Sequence, residues 1–274
     1  IRLSLVGSEM CIRDRLTSYQ HRHMLVKFLH RILLALVAVH AVLAASSSYE
    51  TPSKNGGSML TKQKEPLNVI ISGTSDEYVL SEKGFVDFGQ AIGYDPDSFV
   101  GKVQGNGKQS ANLGDGRGST EQAGLMRQHP GSVEAIVGGN HFRYWMQVGD
   151  KANTKAVFIA ASVEKALKYH HDLVSNGYDQ GRDMIVKNAT SQPRSWNGKK
   201  FTTKQIKMDK SLLKGVSKND LNHNIGTDGG VAILEVSVSD DTEADKGDND
   251  GTCLTTPASS LMLLAVIFIC LSFL

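Results

Sequence analysis

Two groups of residues in this chain have types and spacings that could do chemistry. Asn140-His141-Phe142-Arg143-Tyr144-Trp145 alternates in character. As a strand it puts the imidazole of His141, the guanidinium of Arg143 and the indole of Trp145 on one face, with Phe142, Tyr144 and Met146 on the other. Further on, His170 and His171 precede Asp179-Gln180-Gly181-Arg182-Asp183. On a helix, Asp179 and Asp183 share a face and Arg182 sits three residues from Asp179. Histidine beside carboxylates can bind a divalent metal or move protons near neutral pH. Arginine can hold a phosphate or carboxylate with its planar fork. The candidate catalytic set is therefore His141, Arg143, His171, Asp179, Arg182 and Asp183. Asn222-His223 and Asp228-Gly229 add one more imidazole and carboxylate. The spacing names no metal and no cofactor. It suits structural roles equally: a salt pair between Asp179 and Arg182, a helix cap at Asp179, a core aromatic at Trp145.

Other chemistries lack their motifs. Gly114-Asp115-Gly116-Arg117-Gly118 follows no clear strand and is not followed by Lys-Ser or Lys-Thr, so it reads as a turn-rich loop and not a phosphate cradle. There is no Gly-x-Ser-x-Gly elbow and no His-Glu-x-x-His helix.

The elements that must position the candidates follow from periodicity. Residues 67–71 read as a buried strand and 76–92 as a helix weakened by Gly84 and Gly89. Residues 102–119 read as a long polar surface loop and 121–127 as a short helix. Strands are expected at 141–147 and 155–163, the second apolar on both faces, and at 201–208 and 231–238. A helix is expected over 178–189, after the Asn176-Gly177 turn. The order predicts one α+β domain over 65–239, with a mixed, mainly antiparallel sheet packed by a few helices.

The ends carry different information. Residues 4–15 resemble a translated transposase-type sequencing adapter, so 1–23 are set aside as an artefactual leader. From Met24, Lys27 and Arg31 precede an apolar run over 32–43 and the small residues Ala44, Ala45 and Ser46. Residues 24–44 thus read as a secretory signal peptide, whose apolar run is too short to span a bilayer. At the other end, Asn249, Asp250 and Gly251 precede a polar spacer over 252–260 and an uncharged tail over 261–274. That is the pattern of a glycolipid (GPI) anchor signal, residues 251–274, with Asn249 the first choice of attachment site and Gly247 and Asp250 the alternatives. Residues 45–64 read as a flexible linker, and 240–250 as an acidic stalk. The expected partner is a membrane, reached through that anchor, at the plasma membrane or cell wall.

Processing changes the composition. The whole chain has 30 Lys/Arg and 28 Asp/Glu, a formal charge of +2. Six bases and two acids lie in 1–44 and one acid in 250–274, which leaves 24 bases and 25 acids, a charge of −1, over 45–249. No basic stripe remains for nucleic acid. All three cysteines, Cys11, Cys253 and Cys270, fall outside that span, so stability is expected from a core and not from disulfides. Asn188-Ala189-Thr190 is a glycosylation sequon, expected at the surface.

Motif order adds a resemblance. Glu65-Pro66-Leu67-Asn68-Val69, the His141-x-Arg143-x-Trp145 strand, the apolar run over 156–162 and His171 followed by Asp179-x-x-Arg182-Asp183 are similar to the LssY C-terminal-like domain. The spacing from His171 to Asp179 is one residue longer than in the bacterial pattern, with His171 the better match and His170 its neighbour. The chain also resembles secreted fungal proteins that share Leu113-Gly114-Asp115-Gly116, Gly138-Gly139-Asn140-His141 and Asn222-His223. The resemblance implies the α+β fold and work near a membrane surface, and leaves two readings of function. One is a surface protein without catalysis; the other is a hydrolase, with or without a metal, on an anionic or phosphate-bearing substrate.

Overall fold

The computed structural model describes residues 48–97, 107–169 and 172–241. The expected signal peptide, the anchor signal and His170 and His171 lie outside the described residues, as do 102–106 of the expected long loop. The chain divides into the compact units Ile1–Ser239 and Asp240–Leu274, and the fold below is that of the first.

The fold is sheet-rich. In chain order its strands are β1 (Val69–Ile71), β2 (Asp95–Pro96), β3 (Ser110–Asn112), β4 (Ser119–Glu121), β5 (Gly124–Arg127), β6 (Gly139–Met146), β7 (Val157–Glu164), β8 (Arg194–Trp196), β9 (Lys199–Asp209) and β10 (Val231–Asp240). The helices are α1 (Glu82–Ala91), the short α2 (Gly131–Val137) and α3 (Gly177–Thr190). One eight-stranded sheet runs β2-β5-β6-β7-β1-β10-β9-β8, and β3 with β4 forms a separate ribbon. The large sheet is mixed. β1 pairs parallel with β10 and antiparallel with β7, while β2–β5, β5–β6, β6–β7 and β8–β9 are antiparallel.

Both faces of the central strands are covered, which explains their nearly continuous apolar sequence. On one face Val69, Ile71, Phe142, Tyr144, Ile159 and Leu234 pack under Phe85 and Phe88 of α1 and Ile185 of α3. On the other, Ile70, Trp145, Phe158 and Ile233 lie under Met59, the ribbon residue Ala111, Leu113 and Leu213. Trp145 is 1% exposed and donates its indole N–H to the Thr120 carbonyl, so it is a core aromatic.

α1 begins where Ser81 accepts from the Gly84 amide, a standard cap. α3 lies backbone-close on β7. A Cβ on Gly181 would stand 2.7 Å from the Ser162 amide nitrogen, so only glycine fits there. Asn188 of the sequon is half-buried near the end of α3 and donates to the Ile92 carbonyl beyond α1.

Three expectations change. Residues 48–64 are part of the fold and not a flexible linker: the Tyr49 hydroxyl bonds Asp209, the Glu50 amide bonds Gln147, a 3-10 turn spans Pro52–Asn55, and Met59 is buried. Their Ser, Lys and Gly content marks turns laid across the sheet. The expected surface loop carries the ribbon and buries Gln109, Ala111, Leu113 and Asp115. The expected helix near 121–127 is strand β5, because Leu125 and Met126 are fixed by pairing with distant β6. Tertiary pairing overrides local propensity there.

Candidate functional site

Sheet register builds the first site. Arg127 of β5 faces His141 of β6, which faces Ser162 of β7. Gly139 pairs with Glu164, so Glu164 lies diagonally across from His141 on the same face. α2 then sets Glu134 beside His141. Gly138 ends that helix with φ 77°, and a Cβ there would meet the Glu164 carbonyl at 2.4 Å, so the turn from α2 into β6 depends on glycine.

His141 stands between two carboxylates. Its Nδ1 is 3.4 Å from Glu134 Oε1 and its Nε2 is 3.6 Å from Glu164 Oε1. Arg143 Nη1 is 3.5 Å from His141 Nε2 and 3.6 Å from Glu65 Oε2. Arg127 donates to Asp97 at 2.6 Å and also to Glu134. Glu134, His141 and Arg143 are each under 5% exposed. Burial alone would raise the Glu134 carboxyl, but the adjacent His141 and Arg127 outweigh it and hold it below its ordinary value. Glu65, Asp97, Glu134 and Glu164 thus lie around Arg127, His141 and Arg143. One ligand atom from each of Glu134, His141 and Glu164 lies within 4.8 Å of the others. A cleft of about 600 Å³ opens at the ends of β6 and β7, with Glu164, Asn140 and His129 in its wall and exposed Ile136 and Tyr169 at its rim.

The second group is a tie between α3 and the turn before β10. Arg182 is 3% exposed. It donates to Asp228 at 2.5 and 3.2 Å, to Asp183 at 2.8 Å and to the Gly230 carbonyl at 2.8 Å, with Asp179 at 3.5 Å. Burial disfavours the guanidinium charge, yet these oxygens hold its pKa above the ordinary value. The Arg182 hydrogen bonds, led by their effect over burial, hold Asp228 low. Asp179 accepts from the Thr227 hydroxyl and the Asp228 amide, and the cap position of α3 is Asn176 and not Asp179.

The six sequence candidates therefore divide. His141 and Arg143 meet in the first cluster; Asp179, Arg182 and Asp183 meet in the second; His171 lies outside the described residues. β6 and β10 are separated by β7 and β1, ~14 Å across the sheet, and α3 packs on the face that Phe142 occupies, opposite His141. The two groups do not converge, and Arg182 is already occupied by this chain's own oxygens. His223 is exposed, with its amide held by Asn222. The residues that sequence reasoning passes over are Glu134 and Glu164. Only the pairing of 139 with 164, and the turn at Gly138, bring them to His141. No protein-family model, curated protein or solved structure matches the chain.

Proposed function

We propose that the chain is an exported α+β domain, held at the outer cell surface by a C-terminal glycolipid anchor, with its role in display or binding rather than turnover. The observation that carries this reading is the placement of the fold between two processing signals. Tyr49 and Glu50, a few residues past the expected signal peptide, already bond Asp209 and Gln147 of the domain. Its last strand ends at Asp240, shortly before Asn249. The motif order shared with LssY C-terminal-like domains is in keeping with a module that works beside a membrane.

The hydrolase reading is less well supported. An anion needs an open cationic group, whereas Arg182 is taken by three carboxylates and Arg143 lies beside Glu65. Glu134 and Glu164 on either side of His141 repel phosphate.

Treatment of intact expressing cells with a phosphatidylinositol-specific phospholipase tests the anchor. The expected result is release of folded protein into the medium. Protein that stays with the cells after treatment, or that leaves them without it, overturns the reading.

A further inference from the structure

We propose that Glu134, His141 and Glu164 form a binding site for one zinc-type divalent cation. The geometry of these side chains leads there. Glu134 Oε1 and His141 Nδ1 are buried and have no partner apart from each other. Buried polar atoms are ordinarily satisfied, and a carboxylate oxygen beside an unprotonated imidazole nitrogen calls for a shared positive centre. Their separation is 3.4 Å. Two ligands each about 2.1 Å from a tetrahedral zinc ion stand ~3.4 Å apart, so this pair already has the edge of a zinc tetrahedron. One ligand atom of Glu164 lies within 4.8 Å of those of the other two.

The surroundings suit a cation. Glu134 and Glu164 flank the imidazole of His141 on either side. A donor set of one imidazole and two carboxylates favours zinc over calcium, which takes six to eight oxygens, and over magnesium, which keeps its waters. Glu164 is the one member of the three in the cleft wall and provides the entry path. The rival occupant is a proton. An imidazolium clamped between Glu134 and Glu164 satisfies the same atoms without metal.

The experiment uses the full chain purified from a secreting host, stripped with a chelator and titrated with zinc against a competing chromophoric chelator. One zinc ion per chain is expected, undisturbed by millimolar magnesium or calcium. Glu164→Gln and His141→Gln are each expected to weaken binding about 100-fold. Glu164 is partly exposed, so Glu164→Gln decides the matter if His141→Gln fails to fold. Substoichiometric binding overturns the proposal and leaves the imidazolium. So does wild-type affinity in Glu164→Gln, or loss of binding only in a His170→Ala/His171→Ala double variant. Zinc binding and phospholipase release are separate readouts, so the site and the anchor can fail independently.

Discussion

The two polar clusters use the same residue types and reach opposite ends. Around Arg182, donors and acceptors are matched: the guanidinium is surrounded by the Asp228, Asp183 and Gly230 oxygens, and Asp179 is taken by Thr227 and Asp228. Around His141, positions are fixed as firmly by the sheet, yet Glu134 Oε1 and His141 Nδ1 have only each other, and the Nε of Arg143 has no hydrogen-bond partner. A saturated cluster is a clasp. An unsaturated one of equal burial is a receptor for something that brings charge with it. Residue type and burial alone do not tell them apart; the inventory of hydrogen bonds does.

The largest expected break falls on the clasp. Arg182→Met removes the guanidinium bonds that tie α3 to the turn before β10 and leaves only those of Asp179, and unfolding in urea should show a loss of about 3 kcal/mol. Zinc affinity per folded molecule should be unchanged, because the receptor lies on the other sheet face. Gly181→Ala pushes α3 off β7 and is expected to cost about 2 kcal/mol in the same assay, since the added methyl meets backbone and not a flexible side chain.

Acid sharpens the contrast. Glu134 and Asp228 both have folded-state pKa values below the ordinary carboxylate range. Each contributes stability that is present above its unfolded value and lost as pH falls through the folded one. Urea unfolding at descending pH should therefore show a smaller acid loss in Glu134→Gln and in Asp228→Asn than in the wild type. Added zinc should steepen the loss in the wild type, because protons compete for its ligands, and not in Glu134→Gln. The smallest effect is expected at Asn188→Ala, which gives up one hydrogen bond to the Ile92 carbonyl and about 1 kcal/mol, with no change at either cluster.

The sequence shows much of the sheet and half of the site. The strands at 69–71, 157–164, 199–209 and 231–240 and the helix at 177–190 stand out because their apolar period is set locally, by which side chains must be buried. β5 and the β3–β4 ribbon do not, because Leu125 and Met126 are buried by pairing with β6 and Ala111 by packing with Met59, partners outside the local period. His141 and Arg143 are visible by alternation along one strand. Glu134 and Glu164 carry no such mark. Glu164 simply ends an apolar run, and its relation to His141 exists only once Gly139 pairs with it. The Asp179–Arg182 salt pair is visible as helix spacing, while its fourth member, Asp228, arrives from a turn 46 residues on. The linker over 48–64 is misread for a related reason. Turns that clothe a sheet and turns that float in solvent have the same composition.

The parallel pairing of β1 with β10 has a mechanical consequence. The chain enters the sheet through β1 and leaves it through β10, side by side at the middle, with entry and exit at opposite ends of the pair. A pull on the chain beyond Asp240 then runs along the length of β10. It loads the bonds between Val69–Ile71 and Ala232–Leu234 together, in shear, where a hairpin edge would open one bond at a time. A domain tethered by that end would stretch its tether before it lost its fold.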